Sequence, residues 1–187
     1  METENKGLKA EFATKVEAKD LMNFKVYHNY TSVSGIITLL VGIIMLSVCA
    51  IVSTYENANI SYILIAGFFG LFFTVWTPVG MWLSVKKQMK KAEGFNEPIK
   101  YVVTSDKIRL SQGQVEEELM WDDIFKVKST GKSIVLYITT VRANVIPLRD
   151  IGEEAENFIK IARKKLRPFQ VKLNDAKVIE KAKQSCR

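Results

Sequence analysis

The stretch GIITLLVGIIMLSVCAIVS, residues 35–53, contains no Asp, Glu, Lys, Arg or His. Beyond the short segment TYENAN at 54–59, a second such stretch, ISYILIAGFFGLFFTVWTPVGMWLSV, occupies residues 60–85. A helix needs about 20 mostly apolar residues to cross the roughly 30 Å of hydrocarbon in a bilayer. Both stretches meet this requirement, so they predict two transmembrane helices. Their short connection predicts an antiparallel hairpin whose two ends lie on the same side of the membrane.

The charges that flank the two stretches predict the orientation of this hairpin. Four lysines follow the second stretch, whereas the loop at 54–59 carries Glu56 and no Lys or Arg. Connections rich in Lys and Arg stay in the cytoplasm. We therefore expect the loop outside the cell and a basic juxtamembrane linker at 86–98 inside it, with both termini cytoplasmic. The four lysines are Lys86, Lys87, Lys90 and Lys91.

The overall charge points to a membrane surface. The chain has 187 residues, 48% of them apolar and 25% charged, with a formal net charge of +7. From residue 161 onward, nine basic residues stand against two acidic ones. Basic proteins often bind nucleic acid. Beside two membrane spans, however, an anionic cytoplasmic leaflet explains the charge better, because a juxtamembrane Lys or Arg gains about 1 kcal/mol there. We expect anionic lipid headgroups, and no nucleic acid, as partners.

Small residues line one face of each predicted span. Ala66 and Gly70 form such a face on the second span, where Pro78 is expected to kink the helix. Small faces let helices approach closely in lipid. Packing within the hairpin is the favoured interpretation, and homodimerisation is the alternative. The small residues of the first span are Gly35, Thr38, Gly42 and Cys49.

Outside the hairpin the pattern is that of a mixed α and β domain. Residues 1–34 predict a cytosolic strand at 8–16 and then an interfacial helix that begins at Asp20. After residue 98, apolar and polar residues alternate in short runs, as in strands of an antiparallel sheet or small barrel. The six predicted strands are 99–104, 107–112, 118–121, 124–129, 133–140 and 142–148.

One amphipathic helix is predicted to follow these strands. Asp150 is its expected N-cap, and Glu153, three residues later, completes a capping-box pattern. Pro168 ends the helix, and residues 168–187 form a basic tail. The apolar stripe of the helix consists of Ala155, Phe158, Ile159, Ala162 and Leu166, and its last turn holds Arg163, Lys164, Lys165 and Arg167.

Two short motifs carry a family resemblance. MWDDI at 120–124 and VIP at 145–147, placed after two spans and before a helix, are similar to the YcxB-like family of bacterial membrane proteins. The similarity covers about residues 10–167. It implies a bacterial plasma membrane and a pleckstrin-homology-like domain at 99–167, in which a bent antiparallel sheet or barrel of six or seven strands is capped by a C-terminal helix. It implies no catalytic activity. The predicted fold is a membrane α-helical hairpin plus a small α+β domain.

No residue pattern predicts an active site. Gly131-Lys132-Ser133 resembles the end of a phosphate-binding loop, but Lys126 stands where that motif needs a glycine, so a hairpin turn is the better interpretation. His28 is the only histidine, and Cys49 and Cys186 have no partner at metal-site spacing. We therefore expect no catalytic, cofactor or metal site, and a protein that is not an enzyme.

These observations lead to two hypotheses about function. The first is a membrane-tethered cytosolic binding or scaffolding module. The alternative is a regulatory or accessory subunit of a membrane transporter or channel. The expected partners are anionic headgroups, a membrane or cytosolic protein, or a second copy of the chain. The residues expected at the membrane surface are Lys86, Lys87, Lys90, Lys91, Arg163, Lys164, Lys165 and Arg167.

Overall fold

The computed structural model describes residues 8–91, 97–140 and 142–185, without the side chain of Lys91. The chain divides into two compact units. One is Lys25–Lys90, and the other joins the residues up to Phe24 to those from Lys91 onward. Part of the predicted linker at 86–98 and the last two residues of the predicted tail lie outside the described residues.

The first unit contains the two predicted spans as helices. The first span is α2 (Val33–Val52). The second is α3 (Ile60–Leu71), a π-helical turn (Phe72–Trp76) and α4 (Thr77–Lys91). Both spans are long and apolar enough to cross a membrane, and only 11% of the most apolar window of each is buried. Soluble monomers rarely expose apolar surface on this scale.

Small residues hold the two spans together, as the favoured interpretation predicts. A Cβ atom added at Gly42 would lie 2.7 Å from Cγ2 of Thr74. One added at Gly70 would lie 2.7 Å from the side chain of Leu46. Because neither site has room for a methyl group, the glycines set how closely α2 approaches the second span. Packing within the hairpin is thus confirmed for this pair of glycines.

Pro78 is predicted to kink the second span. The helix is irregular in the turn before this proline, where Phe72–Trp76 form a π-helical segment. A proline ring crowds the carbonyl four residues earlier, which here belongs to Thr74. A π-helical turn widens the backbone at that point and relieves the crowding. The Thr74 hydroxyl donates to the Gly70 carbonyl at 2.7 Å, which gives that oxygen a partner inside an apolar segment.

The second unit is built on two sheets. The six predicted strands correspond to β2 through β7, each within three residues of its predicted bounds, while β1 and β8 flank them in sequence. The strands are β1 (Ala10–Thr14), β2 (Ile99–Val103), β3 (Lys107–Gln112), β4 (Val115–Met120), β5 (Lys126–Ser129), β6 (Ser133–Tyr137), β7 (Ala143–Pro147) and β8 (Val171–Lys172).

The strands pair in two groups of four rather than in one bent sheet. The first sheet has the order β1-β2-β3-β4 and the second β7-β6-β5-β8. Every pair is antiparallel except β5 and β8. β1 pairs with β2 from Ala10 opposite Val103 to Thr14 opposite Ile99. The strand predicted at 8–16 therefore belongs to the same sheet as residues 99–103, and the whole hairpin is inserted between two neighbouring strands.

Further helices lie before the first span and after β7 in sequence. The predicted interfacial helix is observed as α1 (Ala18–Tyr30). After β7 come α5 (Leu148–Ile151), a 3₁₀ turn (Gly152–Glu154) and α6 (Ala155–Lys165). The predicted tail contains β8 and α7 (Asp175–Ser185), neither of which the sequence analysis anticipated.

The prediction that Asp150 caps one continuous helix is wrong. Gly152, at φ 51° and ψ −127°, separates α5 from α6. An L-residue side chain is strained at that φ, so glycine is needed at this break. The carboxylate of Asp150 instead accepts hydrogen bonds from the Thr14 hydroxyl at 2.7 Å and the Lys15 N–H at 3.0 Å. It thereby fastens the end of β1 rather than the start of a helix.

The hydrophobic core of the second unit draws on both sheets and on α6 and α7. The predicted stripe on α6 is confirmed, since Phe158 and Ala162 are fully buried. Phe12 of β1 stacks on Tyr101 with ring centroids 5.2 Å apart, and it meets Phe158 edge-on at 6.4 Å. Val178 on α7 is also part of the core. β1 thus supplies Ala10 and Phe12 to a core whose remaining members lie beyond the hairpin.

We predict that Phe12→Ala lowers the free energy of unfolding of the second unit by about 3 kcal/mol, because a large buried ring is lost and a cavity remains. Urea denaturation of the detergent-solubilised W76F/W82F variant, followed by the fluorescence of Trp121, measures the change. Leu8→Ala is the control, since Leu8 lies before β1 and is 42% exposed. Equal effects of the two substitutions would contradict the placement of β1 in the core.

Candidate functional site

The eight basic residues expected at a membrane surface occupy different environments. Lys86, Lys87 and Lys90 are exposed near the end of α4. The ammonium of Lys86 lies over the ring of Trp82, 4.1 Å from its centroid. A cation over an indole face is a favourable contact that leaves part of the ammonium available to solvent or headgroups. The side chain of Lys91 lies outside the described residues.

Of the other four predicted residues, three lie in the last turn of α6 and Arg167 follows its end. Lys164, Lys165 and Arg167 are exposed. Arg163 instead binds Asp175 at the start of α7, with Nη2 2.7 Å from Oδ1, and the pair raises the pKa of the guanidinium through its hydrogen bonds. Arg163 also donates to the Leu173 carbonyl. Its charge therefore serves to hold α7 against α6, and it is the least suited of the eight to contact lipid.

A basic surface that the sequence analysis missed lies on the paired strands β5 and β8. Val127 points into the core, so Lys126 and Lys128 point to the opposite face of the sheet. Lys128 lies directly opposite Lys172 in the parallel pair. Like charges placed opposite each other destabilise a sheet. Partial burial, and then the charges of Lys126 and Lys172, hold the pKa of Lys128 below its usual value.

Two exposed aromatic rings flank these lysines. Phe125 precedes β5 and is 47% exposed, and Phe169 precedes β8 and is 67% exposed. The side chain of Gln170 donates to the Phe125 carbonyl at 3.1 Å and so fixes the backbone beneath the rings. We call the set formed by Phe125, Lys126, Lys128, Phe169 and Lys172 the β5–β8 surface. The ammonium of Lys126 lies over the Phe125 ring, 5.0 Å from its centroid, and over the Tyr137 ring at 4.5 Å.

An ion pair ties the start of α1 to the segment after β7. Both guanidinium Nη atoms of Arg149 lie 2.8 Å from the carboxylate of Asp20. Asp20 also accepts the N–H of Glu17, the residue before α1. Arg149 further contacts the Lys15 carbonyl at 3.1 Å and the Asp150 carboxylate at 3.3 Å. One arginine thus joins Lys15 and Asp20, which precede the hairpin in sequence, to the segment after β7, which follows it.

Burial and charge act in opposite directions on Asp20. Its side chain is only 6% exposed, and burial alone would raise the pKa of the carboxyl. The hydrogen bonds from Arg149 and Glu17 and the positive charge of Arg149 outweigh that effect, so the pKa of Asp20 lies below its usual value. The hydrogen bonds to Asp20 raise the pKa of Arg149. Both groups are therefore charged throughout the physiological range.

The remaining motifs have structural roles. Trp121 is buried and donates its indole N–H to the Thr104 carbonyl at 2.9 Å. Gly131 lies in the turn between β5 and β6, at φ 85°, which confirms the predicted hairpin turn. Within the ranges 8–91, 97–140 and 142–185, no three His, Cys, Asp or Glu side chains are grouped as metal ligands would be.

One family model matches about a third of the chain. Residues 103–162 match the family model described as YcxB-like protein. The matched segment runs from the end of β2 through most of α6. The predicted family resemblance is confirmed over this segment. No curated protein and no solved structure matches the chain significantly.

We predict that Asp20→Asn lowers the free energy of unfolding at pH 7 by about 2 kcal/mol, because Arg149 keeps its charge but loses a charged acceptor. The folded pKa of Asp20 lies below the unfolded value near 4. The contribution of the Asp20 carboxylate to the free energy of unfolding is therefore complete above that pH, and it declines as pH falls through the folded pKa.

Urea denaturation curves from pH 7 to pH 2.5 measure this effect. The difference between the parent and the Asp20→Asn chain should shrink below about pH 4. Glu156→Gln is the control, because Glu156 and its partner Lys160 are largely exposed, and we expect no measurable change. A stability difference that stays constant down to pH 2.5 would contradict the assignment of Asp20 as a charged partner of Arg149.

Proposed function

We propose that this YcxB-like protein is a non-enzymatic binding or scaffolding module, tethered to a bacterial plasma membrane by a two-helix hairpin with both termini in the cytoplasm. One observation carries the proposal. The two apolar helices are inserted between β1 and β2, which are neighbours in one sheet. Since a sheet cannot be divided by a bilayer, the chain must leave and re-enter the compartment of that sheet, as a two-pass anchor does.

The exposure of the two spans supports a membrane location. α2 exposes Ile37 and Leu40 at about half of their surface, and α3 exposes Leu64 and Phe68 at more than 60%. Burying apolar surface gains about 25 cal/mol per Å². A bilayer supplies that burial without a protein partner. The cluster of lysines after the second span, set against a loop without Lys or Arg, favours a cytoplasmic location for the second unit.

We further propose that the second unit acts as a pleckstrin-homology-like module. Two four-stranded sheets with α6 packed into their core are compatible with such an architecture. Tethering confines the module to a thin layer beside the membrane, which raises its effective concentration toward membrane-bound partners. The surface of the module would then determine which partner binds, and the hairpin would determine where the protein is located.

Anionic headgroups are the proposed ligands of two basic regions. The first is the end of α4 with Lys86, Lys87 and Lys90, which Lys91 follows in sequence. The second is the β5–β8 surface, which places Lys126, Lys128 and Lys172 on two paired strands. Each Lys near an anionic surface contributes about 1 kcal/mol at physiological salt.

A second candidate function is an accessory subunit of a transporter or channel. The observation that favours it is a row of stacked rings on the second span. Phe72 stacks between Phe68 and Trp76, with centroids 6.2 and 6.1 Å away. The row runs into the π-helical turn, a feature often found at functional sites. Recovery of a stoichiometric transport protein in gentle detergent would favour this function over the first.

We predict that a membrane-impermeant maleimide added to intact cells labels a cysteine at position 57, in the external loop, but not the native Cys186. The variants are N57C/C49S/C186S and C49S, each carrying one cysteine. Labelling of Cys186 without permeabilisation, or protection of position 57, would contradict the proposed topology.

The lysine cluster is tested with the same readout. K86E/K87E/K90E, added to the position-57 variant, should leave a smaller fraction of molecules labelled from outside, because the charge that retains this end in the cytoplasm is reversed. K160E/K177E/K183E is the matched control, since these lysines are far from the span ends in sequence. Equal labelling of both triple variants would contradict the electrostatic part of the proposal.

A further inference from the structure

The second unit contains a cleft of about 400 Å³ that the proposed function does not use. Its walls come from the start of α1, the turn between β5 and β6, the start of α5 and the last turns of α7. Four of its nine lining residues are cationic and one is acidic. The lining residues are Lys19, Asp20, Gly131, Lys132, Leu148, Arg149, Lys181, Gln184 and Ser185.

One wall is formed by the β5–β6 turn and α7. The N–H of Gly131 donates to the Ser129 hydroxyl at 3.1 Å, and its carbonyl accepts the ammonium of Lys181 at 2.9 Å. The carbonyl of Lys132 accepts the Leu148 N–H at 2.9 Å, which fixes the turn against the start of α5. These bonds place the side chains of Lys132 and Lys181 beside the same cavity on a fixed backbone.

A second wall contains the ion pair of Asp20 and Arg149. Both carboxylate oxygens of Asp20, the one acidic residue of the cleft lining, are engaged by Arg149, which also lies 3.3 Å from Asp150 and 3.5 Å from Glu17. Lys19, next in sequence, pairs with Glu17 at 2.8 Å, and both side chains are about half exposed or more. Such surface pairs are weak and exchange readily. Lys19 can therefore turn toward a ligand.

The balance of charge points to an anionic ligand. Once Asp20 and Arg149 are paired, the ammonium groups of Lys19, Lys132 and Lys181 remain in the lining. An ammonium has three donors, and Lys181 uses one on the Gly131 carbonyl. The side-chain amide of Gln184 donates one N–H to Glu180 at 3.1 Å and keeps a second N–H at the same cleft. Ammonium and amide donors that converge from two walls match the several acceptor oxygens of a phosphate group.

We infer that this cleft binds a phosphate group, held by Lys132 and Lys181 from one wall and by Lys19 from the other. A cavity of this volume lies within the range of small-ligand sites and accommodates a phosphate compound with one further substituent. The group can belong to a soluble phosphate compound or to a phosphomonoester lipid headgroup. The inference does not depend on which way the hairpin is oriented.

The test uses the full chain in two settings, with pyrophosphate as the probe in detergent and phosphatidate as the probe in nanodiscs. In detergent, pyrophosphate is titrated at constant ionic strength, and its Kd is measured by calorimetry. In nanodiscs, phosphatidate replaces phosphatidylglycerol at equal total charge, and the thermal unfolding midpoint is measured. K132A/K181A removes the proposed contacts. K177A/K183A removes two lysines that lie on α7 outside the cleft lining, with the same change in net charge.

We expect either probe to bind saturably to the parent and to the K177A/K183A control. In K132A/K181A, we expect this binding to be weakened at least tenfold or abolished. Binding of pyrophosphate identifies a soluble ligand, and stabilisation by phosphatidate alone identifies a lipid. Absence of saturable binding in both settings, or equal binding by K132A/K181A, would overturn the inference. If the double variant does not fold, Lys132→Ala alone serves, because that side chain is exposed.

Discussion

The pairing of β1 with β2 is the constraint on which the rest of the structure depends. The two strands are joined by residues 15–98, which include the whole hairpin. For a flexible chain, closing such a loop would cost about 4 kcal/mol. The antiparallel packing of α2 against α3 reduces this cost, because it returns the chain toward its starting side. β1 offsets the remaining cost of loop closure by adding Phe12 to the aromatic cluster with Tyr101 and Phe158.

Two acidic residues secure this arrangement from opposite ends. Asp150 binds the last residue of β1 and the one after it, and Asp20 binds Arg149 next to Asp150. The chain that leaves β1 for the hairpin is thus fixed to the chain that leaves β7 for α5. The same Asp20–Arg149 pair lines the basic cleft, so the contact that closes the fold also neutralises the carboxylate that would otherwise repel an anion.

Local patterns were sufficient to predict the spans, the six central strands and the apolar face of α6, because each depends on periodicity within one segment. The partner of β1 was not predictable, since strand pairing across the hairpin leaves no local signal. The roles of Asp150 and of the β5–β8 surface also depend on such distant partners.

α7 is a different case. Asn174 accepts the Lys177 N–H as a helix cap, and Val178 and Ala182 are spaced by one helical turn. These local signals are sufficient to predict a helix within the basic tail at 168–187. The cleft combines residues from four separate segments, so only the folded chain brings its cations together.

The most direct test of the account is a disulfide across β1 and β2 in isolated membranes, formed by an added oxidant such as copper–phenanthroline because the cytoplasm keeps thiols reduced. Glu11 lies opposite Val102, so cysteines at these positions in a C49S/C186S background should oxidise to a bond that links the two sides of the hairpin. E11C/R109C is the control, because Arg109 lies on β3, one strand further away. The account predicts that E11C/V102C forms the bond in membranes and that the control does not. Failure of E11C/V102C to form it, or equal bond formation by both pairs, would contradict a sheet interrupted by a membrane hairpin.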